Sequence, residues 1–302
     1  MTDVFTADFW SSIFNFSDYG RLLVLVQNSI IAGAILGIVG GLIGVFVMQR
    51  DMAFAVHGIS ELSFAGAAAA LLFGANVVAG SLVGSLLAAT IIGVLGARAR
   101  DRNSIIGVLM PFGLGLGILF LALYPGRSGN RFGLLTGQIL SVDIPQLGVL
   151  IAISIVVLIT LLVIWRPLVF DSVDPDVAMA RGVPARTLSI VFMILLGLMV
   201  AVSVQIIGAL LVLALLVTPA AAALRVSSSP IVVPLLAMLF GFVSAVGGVL
   251  LAIGGSLPIS PYVTTISFLI YLGCRVVGRV RGHRLRRQLE PSARSAAAGA
   301  SV

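Results

Sequence analysis

His57 and Glu61 stand four positions apart inside an apolar stretch, MAFAVHGISELSFAGAAAALLFG. The chain has two histidines, and its two glutamates are Glu61 and Glu290. His283 and Glu290 fall in a polar C-terminal tail, so the hydrophobic body holds one residue of each type. On a helix, an i, i+4 spacing puts both side chains on one face. An imidazole nitrogen beside a carboxylate oxygen is a ligand set for a borderline divalent metal. The same pair could relay protons, or satisfy itself by hydrogen bonding within a helix interface. Ionisable groups are costly inside a bilayer, so those retained there are functional suspects. A site on a transport path must also release its ion. Two protein ligands, completed by water or by other helices, meet that need.

The elements that must carry this pair are membrane helices. The 302 residues are 60% hydrophobic and 10% charged, with a mean hydropathy of +1.20. Such a composition belongs to a polytopic helical membrane protein. The apolar runs are continuous rather than alternating, which excludes a transmembrane β-barrel. They lie near 22–48, 53–73, 77–97, 105–123, 147–165, 188–204, 206–224, 231–254 and 259–278. Each is close to the ~20 residues that cross a ~30 Å hydrocarbon core. All eighteen basic residues are arginine. Arg50, Arg98, Arg100, Arg102, Arg166, Arg181, Arg186, Arg225 and the basic tail read as cytoplasmic. Arg21, Arg127 and Arg131 read as external. The expectation is therefore an all-α polytopic protein of the cell membrane with eight to nine transmembrane helices. Its N-terminus is outside and its C-terminus inside. Gln205 is the expected outer turn between two of the segments, and the loop 124–146 has room for a short re-entrant or interfacial helix.

Residues 1–21 form an expected extracytoplasmic segment, 22–280 the transmembrane domain, and 281–302 a disordered basic cytoplasmic tail. The N-terminus has acidic residues and no basic region, unlike a cleavable signal peptide. The net charge of +7 reads as membrane topology and does not point to nucleic acid. A phosphate-binding Walker loop needs a lysine, and the chain has none. If ATP drives this protein, another chain hydrolyses it. Cys274 is the single cysteine, so no internal disulfide exists.

Two further stretches stand out. In the loop 170–186, FDSVDPDVAMARGVPAR, Asp174 with Pro175 can start a short helix. Gly182, followed by Pro184, ends it. Ala178 and Gly182 are small enough for close docking on a soluble partner. In 204–226, Pro219 after Thr218 marks a kink that could line a path. The glycines Gly33, Gly37, Gly40, Gly41, Gly44, Gly113, Gly115 and Gly117 read as close helix packing.

These segments together resemble the membrane permease subunit of the zinc/manganese/iron ABC importer family, over roughly residues 25–280. The family shows a basic residue, Met-Ala, then an Asp four residues before a His. Arg50, Met52 and Ala53 match here, with His57 and Glu61 at the Asp and His positions. Asp174-Pro175-Asp176 and Ala178 to Gly182 match the cytoplasmic motif. Gly208 to Ala221 matches the late signature, which includes Thr218 and Pro219. The family's order of carboxylate and imidazole is swapped in this chain, and the helix face is kept.

The resemblance implies a type II ABC importer permease that carries a divalent transition metal ion, zinc or manganese. The chain is then no enzyme and holds no permanent cofactor, because the metal is cargo. It implies a homodimer in membrane lipid, two cytoplasmic ATPase subunits and an extracytoplasmic metal-binding lipoprotein. An ion-coupled secondary transporter and an ABC permease for a metal chelate are the alternatives.

Overall fold

The structure, a computed structural model, describes residues 19–96, 99–125, 142–253 and 259–299. The expected interfacial segment before residue 19, and residues 126–141 of the 124–146 loop, lie outside the described residues. Helices α1 (Tyr19–Leu25) and α2 (Gln27–Gln49) are followed by α3 (Ala53–Leu72), α4 (Val77–Leu95) and α5 (Ala99–Leu123). Then come α6 (Ile144–Val173), the short α7 (Pro175–Ala180), α8 (Ala185–Ile207) and α9 (Ala209–Val226). The chain closes with α10 (Val232–Ile253) and α11 (Ile259–Gly299). Among the described residues, eight helices are long and apolar enough to cross a membrane, and α9 is a shorter apolar helix.

Contacts between helix ends agree with alternating crossings. Asn28 donates to the Val142 carbonyl at 3.3 Å, and Gln205 to the Val77 carbonyl at 3.4 Å, joining ends assigned outside. Arg102 donates to the Arg50 carbonyl at 3.1 Å, and Arg281 to the Val226 carbonyl at 3.4 Å, joining ends assigned inside. Three boundaries differ from the sequence reading. The turn placed at Gln205 falls instead at Gly208, whose φ of 83° is the left-handed conformation that glycine adopts without penalty. Gln205 stays helical, because its side chain finds the Val77 carbonyl rather than water. Helix α6 runs on to Val173, so residues 170–173 belong to it and not to a loop. Helix α11 continues through Gly299, across the tail whose composition suggests disorder. Arginine, leucine, glutamine, glutamate and alanine there are strong helix formers.

Glycine packing divides the helices into two tightly joined groups. Cβ atoms added at Gly37 and Gly41 would overlap the carbonyls of Gly241 and Ala237 on α10, and one at Gly44 would overlap the Leu216 carbonyl on α9. These contacts bind α2 to α9 and α10. Gly66, Gly80 and Gly84 bring α3 and α4 together in the same way, while Gly113 seats α5 on the backbone of Glu61 and Leu62. Ser63 and Ser81 lie 2.7 Å apart, and Ser81 donates to the Ala201 carbonyl at 3.1 Å, tying α3, α4 and α8 into the second group. Small residues allow such approach where lipid offers no hydrophobic drive. Gly41→Leu is expected to destabilise the fold by about 1–3 kcal/mol or more, since a backbone carbonyl cannot step aside. Gly115→Leu, where nothing lies within 4 Å of an added Cβ, is the control. Thermal unfolding in detergent checks it: equal stability of the two variants would refute the packing argument.

Candidate functional site

Helix α3 presents His57 and Glu61 on one face, as the spacing requires. His57 Nε2 lies 3.6 Å from Glu61 Oε1. Metal–nitrogen and metal–oxygen bonds of about 2.0–2.2 Å, meeting near the tetrahedral angle, separate two donors by roughly 3.4 Å. The pair therefore stands at the spacing one shared ion would set. The Glu61 side chain is 3% exposed, whereas that of His57 is 27% exposed. The site thus has a closed carboxylate end and a more accessible imidazole end.

Two buried polar atoms of this pair find no hydrogen-bond partner, Glu61 Oε2 and His57 Nδ1. Unsatisfied groups of this kind are rare in buried positions and mark a place for water or an ion. Ser60, beside Glu61, donates to the His57 carbonyl at 3.0 Å and reaches the Ala209 carbonyl of α9 at 3.5 Å. The α8–α9 break at Gly208 therefore abuts the helix that carries the pair. Among the described residues no third His, Cys, Asp or Glu joins it.

Thr218 and Pro219 sit elsewhere. They lie nine and ten residues beyond Ala209 along α9, about 14 Å by helical rise. Their neighbours Leu216 and Ala220 pack against Gly44 of α2. Helix α9 passes through Pro219 without ending.

The short helix of the cytoplasmic loop forms as its residues direct. Asp174 Oδ1 accepts from the Val177 amide at 3.1 Å, Pro175 opens the helix, and Asp176 lies in its first turn. Gly182 follows with φ 80°. Nothing in this chain lies within 4 Å of an added Cβ there, so within the chain Gly182 serves the reversal that ends the helix. Ala178 is fully buried against the body of the protein, which removes it from the docking face expected of it. The outer face instead shows Val177 and Met179, 43% and 63% exposed.

Sequence reasoning missed a polar cluster behind this helix. Arg50 ion-pairs with Asp171 at the inner end of α6, and its Nε donates to Ser172 Oγ at 3.0 Å. Arg50 also lies 5.8 Å over the Phe192 ring of α8. Burial, and then the Arg102 guanidinium, lower Arg50 to about 10, so it remains charged at neutral pH. These groups line a cleft of about 630 Å³ with Gln49, Asp51, Met179 and Arg186. Residue separation hid the pair, since Arg50 and Asp171 are 121 positions apart. The one available signal was an acidic residue at the end of an apolar segment.

Comparison with known proteins places these features in context. The profile of the ABC 3 transport family matches residues 23–278. The manganese transport system membrane protein MntC of Halalkalibacterium halodurans is 31% identical over 225 residues, 74% of this chain and 77% of that protein. The manganese import system permease protein ScaB of Streptococcus parasanguinis is 30% identical over 236 residues, 78% and 83% of the two chains. A chain of PsaBC from Streptococcus pneumoniae, solved in complex with a Fab, superposes with a TM-score of 0.76 at 26% identity. That superposition covers 86% of this chain and 95% of the other.

Proposed function

We propose, from the premise that this chain belongs to the ABC 3 transport family, that it is the permease subunit of an ATP-driven importer of divalent transition metal ions, manganese first and zinc second. The observation that carries the metal reading is the His57–Glu61 pair: two donors 3.6 Å apart, each with an unpartnered buried polar atom. Manganese takes precedence because the relatives named above are manganese systems. Carboxylate suits manganese and imidazole suits zinc, so the pair can serve either ion. The ion enters as cargo. Glu61 supplies the charge that replaces part of its hydration, and His57 supplies the more exposed donor. Two protein ligands hold it loosely enough for release.

The chain spans the cell membrane several times and, in this reading, does no hydrolysis. Cytoplasmic ATPase subunits dock on α7, and an extracytoplasmic metal-binding lipoprotein delivers the ion. A second copy of the chain completes the pathway.

Reconstitution with its ATPase in liposomes tests this. Ligands must be deprotonated to bind metal, so protons compete with the ion at His57 and Glu61. Acidifying the side that faces the site is expected to weaken manganese uptake, and the reduced uptake left in His57→Ala is expected to vary less with pH. Uptake driven by a pH gradient without ATP would replace this reading with ion-coupled secondary transport.

A further inference from the structure

The turn Arg50–Met52 feeds directly into α3, the helix of His57 and Glu61. Asp171 stands three residues before Asp174, the N-cap of α7. The Arg50–Asp171 ion pair thus joins the root of the metal-bearing helix to the root of the helix that faces the cytoplasm. We propose that this pair is the strut through which movement of α7 reaches α3, with Arg50 and Asp171 acting as positioning residues for transport. The inference rests on the metal-importer reading of α3 and α7.

Four observations support it. Both side chains are buried, at 9% and 5% exposure, so separating them would strand a charge away from water. The pair therefore moves as a unit. Its attachments extend to three elements: Ser172 Oγ accepts from Arg50 Nε at 3.0 Å and donates to the Leu168 carbonyl at 2.6 Å within α6. Arg102 of α5 donates to the Arg50 carbonyl at 3.1 Å, and Phe192 of α8 lies beneath the guanidinium. Asp51, next to Arg50, holds φ at 52°, a left-handed conformation that aspartate adopts more readily than most residues other than glycine. The Met52 amide closes the reversal by donating to the Val47 carbonyl at 2.8 Å. The turn into α3 is therefore held rather than slack. Pro175 and Met179 of α7 border the same cleft as Arg50 and Asp171, so α7 faces the strut across that cleft.

The test uses the assembled permease–ATPase complex in liposomes. Cys274→Ser removes the native thiol, and Phe54→Cys places a reporter on the first turn of α3, where Phe54 is exposed. A water-soluble maleimide then reads the movement of α3 when ATP and vanadate are added. Asp171→Asn is expected to abolish the ATP-dependent change in labelling. It should also lower manganese transported per ATP hydrolysed by about tenfold, within the 5–150-fold range of such couplings. Manganese affinity should stay as in the parent. Asp171→Glu keeps the charge and is expected to restore most of the labelling response. Normal coupling in Asp171→Asn overturns the strut. So does equal failure of the Asn and Glu variants, or loss of assembly in both, which would make the pair a folding contact. If the parent complex carries no manganese yet its labelling responds to ATP, the cargo reading fails while the strut is still measured.

Discussion

Replacing Glu61 with glutamine is expected to stop metal uptake while leaving the folded permease in the membrane. The substitution keeps the size of the side chain and one carbonyl-type oxygen, so α3 continues to pack against Gly113 of α5. What it removes is the negative charge. Inside the bilayer a divalent ion that has shed water needs that charge, because no other acidic side chain stands with the pair among the described residues. Losing a charged ligand worth about 3 kcal/mol corresponds to roughly a hundredfold in binding. Uptake of radioactive manganese in cells lacking their own importer measures this, with membrane abundance followed in parallel. Near-normal uptake by Glu61→Gln and by His57→Ala would end the assignment of this pair to the ion path.

A second large effect is expected at the cytoplasmic face. Met179 is 63% exposed and Val177 43% exposed on the outward side of α7, an apolar face on a helix capped by Asp174. If that face docks into an ATPase groove, both side chains become buried on assembly. Met179→Asp would then place a carboxylate in the interface. Central interface positions cost about 2–4 kcal/mol when disrupted, or roughly 30- to 1,000-fold in affinity. The complex should fall apart on size-exclusion chromatography, and metal-stimulated ATP hydrolysis should disappear. The permease alone should remain folded, because Met179 covers little of the core. A stable complex carrying Met179→Asp would place the ATPase elsewhere.

The membrane-spanning helices were legible because apolar length is a local property. Each run of about twenty residues declares itself without knowledge of its neighbours. The His57–Glu61 pair was legible for a similar reason: four residues on a helix fix proximity, and the scarcity of both residue types removed competitors. Gly208 was not legible as the reversal, because a polar residue, Gln205, stood nearby and the decisive property is a backbone dihedral. The extension of α6 past Arg166 was hidden by polar residues that read as loop. Arg50 and Asp171 lay furthest from view. Nothing in the local sequence of either residue names the other, and only the packing of α2, α5, α6 and α8 brings them together.

Helix α6 has a mechanical consequence. Its 30 residues make a rod of about 45 Å, half as long again as the ~30 Å hydrocarbon layer. A rod of that length multiplies angle into distance. Pivoting it by about 5° at its outer end sweeps its inner end through roughly 4 Å, close to three-quarters of a helical turn in height. Asp171 and the start of α7 ride on that inner end. A tilt too small to disturb lateral packing near the outer surface is thus enough, by leverage alone, to carry the cytoplasmic end across the reach of a side chain.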